Sequence, residues 1–294
     1  MPFPRYVIIT PARNEAGTLE ATIRSVVAQS LRPSEWAIVS DGSTDDTDEI
    51  ARRWSRLHPF IRLVRREGGR TRDFGSKAVA FKAGLDSITS KYDFIGNLDA
   101  DITFGPDYYR DLLKAFSDER LGLAGGVIYE LIGREFVPQK NFPESVAGAI
   151  QLFRRECFVD IGGYIPISAG GIDAAAEISA RMRGWRVRAF DDLKAFHHRR
   201  VSGGNGRVLK SRFRHGVAHY LLGYHPLFEI MKCAYRVQDR PYVLGALCTL
   251  AGYAWSAAIG CERPVSGEFV EFIRNEQRER LRSFRLFKAV MRPS

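Results

Sequence analysis

Three acidic turns follow one another in the first third of the chain, each directly after a short apolar run. Val7–Thr10 leads into Pro11-Ala12-Arg13-Asn14-Glu15, Trp36–Ser40 into Asp41-Gly42-Ser43-Thr44-Asp45-Asp46, and Phe94–Leu98 into Asp99-Ala100-Asp101. If the runs are parallel strands, the turns share the edge of the sheet where open α/β sheets take their ligands. Asp41, at a strand end, can accept a hydrogen bond from a pyrimidine N3–H, or it can simply cap a helix. Asp99 and Asp101, one residue apart, are hard oxygen donors that suit Mg²⁺ or Mn²⁺ held against a diphosphate. Such an ion would neutralise charge on a departing nucleoside diphosphate.

The elements that must position these groups are legible in the same stretch. Strand patterns fall at about Tyr6–Thr10, Trp36–Ser40, Ile61–Arg65, Phe94–Leu98 and Leu123–Tyr129. Helix patterns fall at about Thr18–Ser30, Thr44–Leu57, Gly75–Ser87 and Pro106–Ser117. Ser43 or Thr44 can cap the second helix, and Pro106 suits the first turn of the fourth. Alternation of this kind predicts an α/β fold with a mainly parallel sheet and crossover helices. Residues from about 132 to 173 are richer in Gly and Pro and read as loops with short helices. A helix at Ala174–Arg183 and a strand at Trp185–Phe190 follow. Gly69…Gly75-Ser76-Lys77 is not a P-loop, because the glycine spacing is one residue too long and no Ser or Thr follows the Lys. The absence of Gly-x-Gly-x-x-Gly argues against a dinucleotide dehydrogenase.

Pro11-Ala12-Arg13-Asn14-Glu15, Asp41 to Thr47 and the Asp-x-Asp of Asp99-Ala100-Asp101 together resemble the family 2 glycosyltransferases of the GT-A fold. The resemblance covers roughly the first two-thirds of the chain. It implies a Rossmann-like, mixed but mainly parallel sheet that binds a nucleotide-sugar donor, most simply UDP-linked. By the same resemblance Pro11 shapes the first turn, Ala12, Arg13 and Ala100 belong to donor-site motifs, and Glu15 and Asp41 contact base and ribose. Arg72 and Lys77 lie where the family carries basic donor-site residues. Arg154, in Gln151-Leu152-Phe153-Arg154-Arg155, could meet the pyrophosphate or be a helix surface charge. His197 or His198 resembles a late metal ligand that accompanies Asp99 and Asp101. An inverting transfer needs a carboxylate to take the acceptor proton. The family's acidic pair is replaced here by Ala174-Ala175, which leaves Asp173 as the preferred base and Glu177 as the alternative.

Of the 294 residues, 45% are hydrophobic, enough for a substantial core, and the net charge is +10. That charge favours anionic partners; nucleic acid is set aside because no aromatic-basic platform motif accompanies it. Cys157, Cys233, Cys248 and Cys261 form no Cys-x-x-Cys, so reduced buried thiols in the cytoplasm are expected. No signal peptide is read at the start. Residues 1–204 are expected to form the GT-A domain and 205–294 a helical appendage. Within the appendage Tyr242–Cys261 lacks charge for about twenty residues. It reads as a membrane span, an interfacial helix or a buried one. Arg274 to Arg292 reads as a basic amphipathic helix for a membrane surface.

The expectation is therefore a metal-dependent, inverting transferase of a hexosyl group to a saccharide or lipid-linked acceptor in polysaccharide biosynthesis. It would be peripheral to or anchored at the inner face of the plasma membrane. Two rivals remain. A sugar nucleotidyltransferase would need a Gly-rich basic loop after the first strand, which is absent. A non-catalytic nucleotide-sugar-binding scaffold is compatible with the missing acidic pair.

Overall fold

The computed structural model describes residues 4–67, 75–139, 144–198, 205–238 and 241–290. The chain divides into two compact units, Met1–Pro166 with Ile172–Val201, and Ile167–Gly171 with Ser202–Ser294.

The first unit is built on one nine-stranded sheet. Its strands are β1 (Tyr6–Ala12), β2 (Glu35–Asp41), β3 (Ile61–Arg66), β4 (Phe94–Asn97), β5 (Ile102–Phe104), β6 (Leu121–Ile132), β7 (Glu135–Pro138), β8 (Leu152–Arg154) and β9 (Arg186–His197). The order is β3-β2-β1-β4-β8-β6-β9-β5, with β7 paired to β6. β3, β2, β1 and β4 are mutually parallel. β8 runs antiparallel to both β4 and β6, and β9 runs parallel to β6. Two reversals cancel, so β6 and β9 point the same way as β4. Their carboxyl ends join those of β1, β2 and β4 on one edge.

Both faces of this sheet are covered, which is why β1 and β2 read as unbroken apolar runs. Side chains alternate between faces, so Tyr6 and Ile8 enter one core and Val7 and Ile9 the other. The helices α1 (Leu19–Val27), α2 (Thr47–Leu57), α3 (Gly75–Ser87), α4 (Tyr108–Ala115), α5 (Arg155–Asp160) and α6 (Ile172–Met182) supply the cover. α3 approaches closely at Gly84, where a β-carbon would lie 2.6 Å from Ile9 Cγ2 and 2.7 Å from Val39 Cγ2.

Two local expectations are corrected. α2 starts at Thr47, not Thr44, because Ser43 and Thr44 bind the neighbouring turn instead of capping the helix. The stretch from 132 to 173 is not only loops and helices, since it holds β7 and β8.

The second unit is helical, with α7 (Asn205–Leu221), α8 (Pro226–Tyr235), a short 3₁₀ turn at Arg236–Gln238, α9 (Tyr242–Ala258) and α10 (Gly267–Val290). Among the described residues no helix is long and apolar enough to cross a membrane.

Candidate active site

The first two turns are stitched to each other across the sheet edge. Asn14 adopts the left-handed region at φ 57°, one that Asn tolerates better than most residues. Its Oδ1 accepts from the Thr44 amide at 2.8 Å, and its own amide donates to Ser43 Oγ at 3.2 Å. The Glu15 amide donates to Thr47 Oγ1 at 2.8 Å, and the Ala16 amide donates to Asp45 Oδ2 at 3.0 Å. Burial raises the Asp45 carboxyl, but bonds from Thr47 and from the Ala16 and Thr47 amides outweigh it and hold the group below its ordinary value. These bonds fix β1's end, with Pro11, Ala12 and Arg13, beside β2's end.

Asp41 closes β2 and is buried. Its Oδ1 accepts from Arg66 Nη1 at 2.8 Å, because parallel register sets Asp41 directly opposite Arg66 on β3. Arg66 was not among the sequence candidates. The signal was available: Arg65-Arg66 ends the adjacent strand pattern.

The third turn is held from both sides. The Leu98 amide donates to Ile9 O at 3.1 Å and the Asp99 amide to Ala149 O at 3.0 Å, so the backbone of Asp99 is fixed in line with the sheet. Lys77, in the first turn of α3, places Nζ 2.5 Å from Asp99 Oδ1. Ala100 is buried, and its carbonyl accepts from Thr22 Oγ1 of α1 at 2.9 Å. Asp101 immediately precedes β5, which turns back antiparallel along β9 so that Ile102 pairs with His197. That register brings His197 Nε2 to 3.2 Å from Asp101 Oδ2. The neighbouring His198 ring turns away to Thr103 Oγ1, 2.7 Å distant. Burial lowers the His198 pKa, with His197 also lowering it and Asp101 opposing.

Asp173 and Glu177 lie one helical turn apart on α6 but in different surroundings. Asp173 sits inside the first turn of the helix, where the helix dipole favours a negative charge. A β-carbon on Gly148 would come within 2.6 Å of its Oδ2, so the carboxylate lies against the 148–149 turn that also anchors Asp99. Glu177 is 6% exposed and embedded. Its Oε1 accepts from the Val146 amide at 2.7 Å and from Ser145 Oγ at 3.4 Å. Burial, then the Asp173 charge, pushes its carboxyl up to about 8. Tyr164 lies among these acids and donates its hydroxyl to Gln151 Oε1 at 2.7 Å. Burial, followed by the charges of Asp173, Asp99 and Glu177, drives its phenol far above the ordinary value. Tyr164 and Gln151 are the support the sequence did not single out. Gln151 stands in the segment that carries Arg154, but no local signal ties either residue to the acids.

The structure thus gathers Pro11, Ala12, Arg13, Glu15, Asp41, Lys77, Asp99, Ala100, Asp101 and His197 along one edge. It does not bring Arg154 there. Arg154 pairs with Phe94 at the start of β4, the opposite edge. Its guanidinium donates to the carbonyls of Phe116 (2.6 Å), Asp118 (3.2 Å) and Leu121 (3.2 Å) and lies over the Phe94 and Phe116 rings. The expected meeting with a pyrophosphate is replaced by a structural role, because β8 runs antiparallel to β4. Arg72 lies outside the described residues. Among the described residues no group of three His, Cys, Asp or Glu forms a ready metal cage.

The family model described as glycosyl transferase family 2 matches residues 7–170, more than half of the chain. The poly-β-1,6-N-acetyl-D-glucosamine synthase of Staphylococcus aureus is 26% identical over 195 residues, 60% of this chain and 45% of its own. The protein named "uncharacterized glycosyltransferase YibD" of Escherichia coli is 27% identical over 117 residues, 40% of this chain and 32% of its own. The match therefore spans less than half the length of either relative. The solved structure of the mannosyltransferase PcManGT from Pyrobaculum calidifontis, in complex with GDP-Man and Mn²⁺, aligns with a TM-score of 0.58 at 20% identity. That alignment covers 88% of this chain and 76% of the other. S. aureus TarS 1–349 in complex with UDP-GlcNAc aligns with a TM-score of 0.54 at 16% identity, over 88% and 73%. With the GT-A sheet and the acidic edge already in place, the family match over residues 7–170 completes the assignment: this chain belongs to glycosyl transferase family 2.

Proposed function

We propose that the chain transfers a sugar from a nucleoside-diphosphate donor, UDP-linked in the simplest reading, to a hydroxyl of a saccharide or lipid-linked acceptor, with inversion and at a membrane surface. The observation that carries this reading is the convergence of Asp41, Asp99, Asp101 and His197 on one sheet edge, with Asp173 against the turn that anchors Asp99. Asp41, positioned by Arg66, and Glu15 take the base and ribose. Lys77 contributes positive charge beside Asp99. Asp101 and His197 form a carboxylate–imidazole pair of the kind Mn²⁺ accepts, and ions in nucleotide sites usually take one or two carboxylates plus phosphate oxygens. The donor set therefore fits a divalent ion at Asp101 and His197, with Asp99 adjacent. When bound, the ion supplies charge neutralisation for the departing diphosphate.

The acceptor proton is assigned to Asp173. It is half-buried, whereas Glu177 is enclosed and held by the Val146 amide. A group that must meet an entering hydroxyl needs access as well as basicity. Glu177 thereby becomes a supporting acid behind the base.

A screen of UDP- and GDP-sugars by thermal shift, with and without Mn²⁺, followed by turnover with an acceptor panel, tests the proposal. A Mn²⁺-enhanced rise in melting temperature with one donor class, together with release of nucleoside diphosphate, is expected. Binding without any transfer or hydrolysis would favour the scaffold reading, which Ala174-Ala175 keeps open. No binding of any nucleotide sugar would contradict both.

A further inference from the structure

Two helices of the second unit are inverted relative to a water-facing domain. α9 carries no charged residue, and its inward face is Gly245, Thr249, Gly252 and Ser256, all buried. Its outward face carries Leu244, Leu247 and Trp255, with Ile259 just past its end, each more than half exposed. In a helix packed on an aqueous protein the large apolar side chains point inward. Here the small residues pack instead. A β-carbon on Gly216 of α7 would strike the Thr249 carbonyl, and one on Gly252 would strike the Phe213 carbonyl. The inward hydroxyls are satisfied within the helix, Thr249 Oγ1 to Gly245 O and Ser256 Oγ to Gly252 O, each 2.9 Å.

α8 repeats the inversion with charge. Glu229 is fully buried and pairs with His219 Nδ1 at 2.9 Å, while Lys232 Nζ meets His219 Nε2 at 3.0 Å. Leu227, Ile230, Met231 and Tyr235, at positions i, i+3, i+4 and i+8, form its exposed face. Polar groups inside, small residues between helices and large apolar residues outside are the pattern of helices whose surroundings are lipid. Trp255, Tyr235 and Tyr242 are of the type that settles at a bilayer's polar boundary. α9's 17 residues make about 25 Å, short of a roughly 30 Å hydrocarbon core. Residues 202–294 hold fifteen Lys and Arg against seven Asp and Glu, most of the chain's net +10. That charge complements an anionic headgroup layer.

We infer that the exposed faces of α8 and α9 are the surface by which this chain lies in the interface of an anionic bilayer, without crossing it. This rests on the membrane part of the proposed function and names the residues that execute it. Of the readings the sequence leaves open for residues 242–261, it takes the interfacial one.

The test is sedimentation of the full chain with vesicles of phosphatidylcholine containing phosphatidylglycerol. It compares wild type, the double variant Leu244→Glu/Leu247→Glu, Ile230→Glu, and Leu57→Glu as a control at an exposed apolar position in the first unit. All four are checked for a monodisperse, cooperatively melting state. Wild type and Leu57→Glu are expected to pellet, and the α8 and α9 variants to bind at least tenfold more weakly. Tryptophan emission is expected to shift to the blue on vesicle addition, and Trp255→Phe to abolish the shift. Equal binding by wild type and the glutamate variants overturns this inference while leaving membrane attachment standing through another segment. A wild type that ignores vesicles overturns both. A wild-type dimer that the α9 variant converts to monomer, without vesicle binding, assigns the face to a second copy and likewise overturns the inference.

Discussion

Glu177→Gln tests the electrostatics of the acid cluster without touching the proposed reacting groups. The wild-type carboxyl is 6% exposed, and burial, then the Asp173 charge, raises it from 4.5 to about 8. A folded-state pKa above the unfolded one means that the native state binds this proton more tightly. The stability that results is complete below pH 4.5 and is lost as pH rises through about 8. At 1.36 kcal/mol per pH unit the span is worth about 5 kcal/mol at most, the opposing bonds from the Val146 amide and Ser145 being already contained in it. Gln keeps the Oε1 acceptor for the Val146 amide and removes the titration. The variant should match wild type within about 1 kcal/mol at pH 5 and exceed it by several kcal/mol at pH 9. The latter is a rise of roughly 6 °C or more in melting temperature. Scanning calorimetry across this range reads both ends. Parallel stability–pH curves for the two proteins would refute the reasoning, since Glu177 would then titrate as an ordinary carboxyl.

Asp173→Asn should lower turnover about a hundredfold or more while donor affinity by calorimetry stays within about twofold; unchanged turnover would remove Asp173 from the chemistry. Arg154→Ala should cost about 2–3 kcal/mol, because three backbone carbonyls lose a charged donor and two rings lose a stacked cation. Donor affinity should be unaffected, and a selective loss of affinity without destabilisation would restore a pyrophosphate role. Asp41→Ala should weaken nucleoside binding at least tenfold, equally with and without Mn²⁺, measured by titration of uridine and UDP. An effect confined to Mn²⁺-containing samples would place Asp41 on the metal side instead.

The elements legible in the sequence were those whose signal is local. Val7–Thr10 and Trp36–Ser40 are apolar on both faces, so they announce central strands. Asp41 and Asp99 follow such runs directly, and their common edge comes from parallel connection. β5 and β8 have three residues each, too few to show a period. Their directions carry the decisions the sequence left open. Antiparallel β8 moves Arg154 to the far edge, and β5's pairing of Ile102 with His197 sets the His197 ring, rather than that of His198, beside Asp101 Oδ2. The lack of charge in α9 was readable, but which side faces outward depends on α7 filling the other with Gly216 and Phe213. Pairing partners distant in sequence settled each of these cases.

Calorimetric titration of UDP and GDP into wild type and Asp101→Ala, with and without Mn²⁺, tests the central claim most directly. The account predicts that wild type binds one nucleoside diphosphate at least tenfold more tightly with Mn²⁺, and that Asp101→Ala loses this enhancement while retaining weak metal-free binding. Equal, metal-independent affinity in both proteins would contradict a diphosphate site built on Asp101 and His197.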